Sequence, residues 1–204
     1  MTVFLYAKII FICLLGAMSP GPSMIVVINN AIFKGRSNGI LTAIGHGVGI
    51  GIYALFAVIG IGLLIQTNIV LFKSIKILSI IFLFYLGVQA IIKKKNIDFQ
   101  SNNLQNGTKS FLQGLAISIL NPKILIWFIA IYSQFMSVNN DYFLNISLII
   151  IASIVDVLWY LFLVCIVTSK VIFELIQNKF STLETVVGYI FIIISLILLV
   201  NIFI

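Results

Sequence analysis

Lys123 and Asp156 each sit near the middle of a long uncharged run, Lys123 as the 13th residue of the stretch 111–135 and Asp156 as the 14th of 143–168. A charge at the centre of a bilayer helix costs about 2.5–3.5 kcal/mol on insertion scales, so neither side chain is expected to face lipid. An ammonium and a carboxylate at similar depth have two uses. They pair with one another, or they hold the opposite ends of a zwitterion such as an α-amino acid, with Asp156 taking the ammonium or a proton. His46, in "AIGHGVGIGIYA", adds a second titratable group. With an unperturbed pKa of about 6.5 it is either a proton carrier or a structural histidine.

Beside these charges the helices are interrupted. "SPGPS" spans Ser19, Pro20, Gly21, Pro22 and Ser23, and "NPK" spans Asn121, Pro122 and Lys123; Pro22 and Pro122 are 100 residues apart in a chain of 204. Proline removes an i to i−4 hydrogen bond and clashes with the preceding turn. Gly or Asn before proline reads as an N-cap followed by the first residue of a new helix. Each such start is a positive dipole end with free N–H groups, suited to an anion such as a carboxylate. A plain packing kink is the alternative. Ser118 also flanks the second break, Tyr53 and Tyr160 are placed to line the same cavity, and Asn29 and Asn30 lie nearer one mouth. Trp127 and Trp159 fit packing or interface positions equally.

The elements that position these groups follow from composition. With 62% hydrophobic and 8% charged residues, the chain has too little polar surface to coat a soluble globule. Reading between charges gives six apolar spans, 9–33, 39–65, 69–92, 111–135, 143–168 and 184–204, each near the roughly 20 residues a bilayer crossing needs. A β-barrel is excluded because its strands show alternating segments of about 10 residues. The first run exceeds the h-region of a cleaved signal, so it is expected to stay as a span. The expected fold is an all-α integral membrane protein. It has a first three-helix half at 1–92, a cytoplasmic loop at 93–110 and a second three-helix half at 111–204. Three crossings per half make the halves inverted repeats, with helices 1 and 4 broken by proline. Paired interruptions in inverted halves point to a transporter's central site.

The net charge of +7 sorts by loop. Lys34 and Arg36, Lys93 to Lys95 with Lys109, and Lys170 with Lys179 fall in loops on one side, which the positive-inside rule places in the cytoplasm, leaving both termini outside. Lys73 and Lys76 enter the third span from the other side. The charge thus reports orientation in a lipid bilayer and not nucleic-acid binding. No soluble domain remains for an enzymatic activity, and no cofactor is called for. Cys13 and Cys165 lie inside spans without CxxC or metal-ligand companions and read as packing residues. Gly45 with Gly49, and Gly47 with Gly51, have small-xxx-small spacing that lets helices approach closely, within one chain or between two copies of a homo-oligomer.

"GAMSPGPSM", "GHGVGIGIYALFAVIGIGLL", "FLFYLG" and "GLAISILNPKILIWFIAIYSQF" together resemble the lysine exporter (LysE) superfamily, nearest its homoserine/threonine-resistance (RhtB) branch. The resemblance runs through nearly the whole chain in order. It implies a bacterial inner-membrane secondary exporter of a small amino acid such as homoserine, threonine or serine, driven by proton exchange. Pro20, Gly21 and Pro22, then Asn121, Pro122 and Lys123, stand at the family's signature positions. Asp156 rests on the physical argument. Two other functions remain open: a cadmium-like cation exporter, which would want thiolates or clustered carboxylates, and a membrane thiol oxidoreductase, which would need Cys13 and Cys165 as a pair.

Overall fold

A computed structural model describes residues 2–92, 107–136 and 142–203, and every regular element among them is an α-helix. Helix α1 (Thr2–Met18) ends just before the first proline pair, and α2 (Pro22–Phe33) restarts at Pro22 after a bend of 69°. Proline's fixed φ and missing N–H suit the first position of a new helix and interrupt an old one. The turn out of α2 passes through Gly35 at φ +93°, a left-handed conformation that glycine adopts without a Cβ penalty. Helices α3 (Arg36–Thr67) and α4 (Ile69–Ile92) follow unbroken. The second half repeats the order. Helix α5 (Gly107–Ile119) bends by 56° into α6 (Pro122–Phe135), and α7 (Tyr142–Val167) and α8 (Lys170–Phe203) complete the bundle.

The half-helices have 17, 12, 13 and 14 residues, each shorter than the roughly 20 a crossing needs. Each bent pair is long and apolar enough only when its two helices are taken together. With α3, α4, α7 and residues 171–200 of α8, which are long and apolar enough singly, the described residues hold four candidate spans, and up to six if each bent pair is one. Large apolar side chains cover the outside: Val70 is 71% exposed, Phe56 66% and Leu158 60%. Such a surface fits lipid, which is as apolar as the side chains themselves. The chain is a multi-pass membrane protein.

Two expectations are corrected. The stretch before residue 184 was expected as a loop, yet only Thr168 and Ser169 separate α7 from α8. Phe173, Ile176 and Phe180 recur at helical spacing and pack with Leu163, Val164 and Val167, so this segment is an amphipathic extension of the last span. Lys179 accordingly lies on a helix. Gly107 to Ser110, expected in the loop at 93–110, lie in α5; Lys93 to Lys95 and the rest of 93–106 lie outside the described residues.

Glycine decides how the bundle closes around its centre. A Cβ at Gly45 would collide with the carbonyl of Phe111 on α5, and one at Gly49 with the Ser118 hydroxyl. On the opposite partner, a Cβ at Gly114 would strike the Thr42 carbonyl of α3. Gly47 points the other way, where a Cβ would meet Val157 of α7. The two glycine pairs read from the sequence thus serve two different helices, and α3 lies between α5 and α7. Ser153 of α7 donates to the Gly47 carbonyl at 2.8 Å, which sets the register of α7 along α3. His46 sits between Gly45 and Gly47, and Asp156 one turn beyond Ser153, so this register determines where the two titratable side chains meet.

Candidate functional site

The two helix breaks adjoin each other. Asn121 Nδ2 donates to the Ser23 hydroxyl at 3.2 Å. Lys123 Nζ crosses to the first break and donates to the Pro20 carbonyl at 3.0 Å and to the Ser19 hydroxyl. Ser19, Pro20, Gly21, Pro22 and Ser23 therefore stand against Asn121, Pro122 and Lys123, as two short breaks would if both served one centre.

Their helix starts are not equivalent. Asn121 is a working N-cap: its Oδ1 accepts from the Lys123 backbone N–H at 3.1 Å, and its carbonyl accepts from Ile124 N–H at 3.1 Å. Gly21 precedes α2 without a side-chain cap. The first N–H groups of α2, on Ser23 and Met24, keep their capacity for an anion, while α6 has already spent part of its own. The two helix starts, each expected to offer N–H groups to an anion, are thus capped differently.

Asp156 does not wait for Lys123. Its Oδ2 lies 2.7 Å from His46 Nδ1, with the two side chains 5% and 2% exposed. The T-shaped ring of Tyr160 packs on the imidazole at a centroid distance of 4.8 Å. His46 Nε2 is buried with no hydrogen-bond partner among the described residues. A neutral imidazole donating from Nδ1 to the carboxylate keeps a lone pair on Nε2, so the pair can take up one further proton without breaking its hydrogen bond. The sequence placed His46 only eight residues into its span, and helical contact with Asp156 was not legible there. The signal that locates it is the glycine packing on both sides of residue 46.

These groups surround a central cavity of about 50 Å³. Its polar lining includes Ser19, Ser23, Asn121, Lys123, His46 and Asp156, and its apolar walls include Ile50, Ile124, Trp127, Phe128 and Phe191. Room for one water takes about 10–15 Å³ on this measure, so the cavity holds a few waters and must widen for anything larger. Tyr160 and Trp127 line it, and Gly16 gives the Trp127 ring its place, since a Cβ there would lie 2.6 Å from the indole nitrogen. Tyr53 does not line it; its hydroxyl donates to the Ile119 carbonyl. Ser118 donates to Leu115 O at 2.7 Å and packs under Gly49. Asn30 donates to Thr42 at 2.7 Å and to Gln113 at 2.9 Å, a polar lock between α2, α3 and α5 away from the cavity.

Among the described residues no three His, Cys, Asp or Glu side chains group together as a metal site would need. Cys13 faces the cavity, whereas Cys165 is exposed and accepts from Arg36 at 3.1 Å. The buried pair His46–Asp156 and the lysine-bridged breaks suit binding of a small zwitterion and movement of a proton.

Known proteins agree with a transport role. No solved structure matches the chain significantly. An uncharacterized membrane protein, YrhP of Bacillus subtilis (strain 168), is 33% identical over 161 residues, covering 72% of this chain and 76% of its own. The leucine efflux protein of Salmonella typhimurium (strain LT2) is 28% identical over 153 residues, covering 74% and 71%. Residues 14–202 match the model of the LysE type translocators, and the chain belongs to that family, whose members are translocators and not enzymes.

Proposed function

We propose that this chain is a secondary exporter of a neutral amino acid, exchanging it for protons across a bacterial inner membrane, with both termini outside. The observation that carries the reading is the meeting of two broken helices through Lys123, across one cavity from a buried His46–Asp156 pair. Lys123 and the uncapped start of α2 supply the positive site for a carboxylate. The charge on the histidine–aspartate pair alternates between −1 and 0 as Nε2 takes up and releases a proton. Without the proton, the pair's net negative charge attracts the substrate's ammonium group across the cavity, and protonation removes that attraction, so proton and substrate disfavour one another, as exchange requires. That is a direct electrostatic link between the two ligands, reciprocal as any binding linkage must be.

The substrate side chain faces Ile50, Ile124, Phe128 and Ala152, with no charged group on that wall. This favours a neutral side chain. Homoserine, threonine and serine are what the likeness to the RhtB branch implies, and leucine is the substrate in the relatives' name. The halves 1–92 and 111–204 act as inverted repeats in this reading, rocking about the central site. The reciprocal approach of Gly87 and Gly188 supports a two-fold relation: a Cβ on either would lie 2.7 Å from the carbonyl oxygen of the other.

The test is export itself. Cells expressing the protein are fed dipeptides, and every amino acid in the medium is quantified against empty-vector cells. Faster release of one or a few neutral amino acids is expected. Unchanged release of all of them, with the protein present in the membrane, would refute the reading.

A further inference from the structure

A second chamber, of about 130 Å³, lies on the other side of Lys123. It is enclosed by the first break, by Gln89 and Ala90 of α4, and by Glu184 of α8. Ser19, Gly21, Lys123 and Phe191 line both this chamber and the central one, so they form the partition between them. We infer that this chamber is the cytoplasmic-side binding site for the substrate, in which Glu184 takes the ammonium group and Lys123 the carboxylate. The inference rests on the exporter reading and assigns a residue to it that the mid-span charges do not reveal.

Three observations converge on the assignment. First, Asp156 is occupied: His46 holds its Oδ2 at 2.7 Å inside a nearly closed environment. An ammonium would have to displace that imidazole from a buried carboxylate. Second, Lys123 Nζ reaches toward the second chamber: its acceptor Ser19 lines both chambers, and Pro20, whose carbonyl it also bonds, lines only the second. Glu184 lines the same chamber. It holds one carboxylate and one ammonium, the complement of a zwitterion, with the Gln89 amide as a further hydrogen-bonding group. Third, the chamber is at the correct end. Gln89 and Ala90 lie within the last turn of α4, about 5 Å from its end at a rise of 1.5 Å per residue, and the basic residues after α4 mark that end as cytoplasmic. A substrate leaving the cell reaches this chamber first and passes the Lys123–Phe191 partition into the cavity beside His46 and Asp156. The lysine stays on the carboxylate throughout, and the ammonium leaves Glu184 for the field of the net negative His46–Asp156 pair without displacing the imidazole.

The experiment uses inside-out membrane vesicles and uptake of the labelled amino acid found in the export assay. The competitor is the matching 2-hydroxy acid, which keeps the carboxylate and side chain but lacks the ammonium. Wild type is expected to ignore the hydroxy acid. Glu184→Gln is expected to raise KM about tenfold to a hundredfold, the range for one charged hydrogen bond, to let the hydroxy acid compete, and to keep the wild-type dependence on pH gradient. Glu184→Asp, which keeps the charge on a shorter stem, should retain discrimination with a smaller rise in KM, and it carries the test if the glutamine variant fails to accumulate. Undiminished discrimination in Glu184→Gln, or a low KM with full discrimination after Glu184→Ala, would overturn the assignment while leaving the exporter intact. Absence of any amino-acid uptake by wild type would overturn the exporter reading itself, and this inference with it.

Discussion

Asp156 and His46 share one hydrogen bond but are not interchangeable. In Asp156→Asn the amide oxygen still accepts from Nδ1–H, so the variant should fold and insert, yet the pair loses its negative charge. Gradient-driven export should vanish while membrane levels, read by immunoblot, stay normal. Normal export with an unchanged response to pH would remove Asp156 from the mechanism. His46→Ala instead strands a buried carboxylate, a change that destabilises by about 3–5 kcal/mol when one partner of a buried pair is lost. Its thermal midpoint in detergent, followed by tryptophan fluorescence, should fall well below that of Asp156→Asn; equal midpoints would show that the pair is not held as described. Mid-span charge made Lys123 and Asp156 legible in the sequence. What the sequence left open was their partners, because these depend on how deep each helix sits and how it is rotated. His46 is an example: counting from a span start at 39 puts it near a mouth, whereas the glycines beside it carry it to the centre.

At the scale of the helix, close packing positions the chemistry. Gly45→Ala and Gly114→Ala each push a methyl into a facing backbone carbonyl, and overpacking of that kind costs about 1–3 kcal/mol. Either should lower the thermal midpoint and slow export, because α3 and α5 must separate. Gly60→Ala, on the same helix α3 with nothing within 4 Å, should be neutral or slightly stabilising, since alanine is the better helix former. A common effect of all three would mean that flexibility and not packing is what the glycines supply. At the second break, Asn121→Ala removes the cap on Lys123 N–H and the bond to Ser23, for a loss of about 0.5–2 kcal/mol from the cap alone. The breaks themselves were legible because proline's restriction is local and acts wherever the residue stands. The helical segment before residue 184 was not, because its charges lower the average hydropathy of a stretch whose apolar face is covered only in the folded bundle.

Across the whole molecule the same short plan occurs twice, a bent pair followed by two long helices. The corresponding landmarks fall at nearly constant distance, Pro22 with Pro122 and Gly87 with Gly188. A two-fold relation between the halves makes a further prediction: Gly87→Leu and Gly188→Leu should impair export to a similar degree, because each wedges the same α4–α8 contact. A large effect from one and none from the other would argue that only one of these helices is fixed there. The long apolar helices and the helix breaks could be read from composition and spacing, since lipid demands long apolar runs and internally satisfied backbones. The second chamber could not, because it is built from residues 19 to 22 with Gln89, Ala90, Lys123, Glu184 and Phe191, which only the fold assembles.

The most direct measurement is efflux from liposomes containing the purified protein and loaded with a mixture of labelled amino acids, with and without an acid outside medium. The account predicts that the acid gradient accelerates efflux of one or a few neutral amino acids, that a protonophore abolishes the acceleration, and that Asp156→Asn shows none. Efflux that ignores the gradient, or that is the same in wild type and Asp156→Asn, would contradict it.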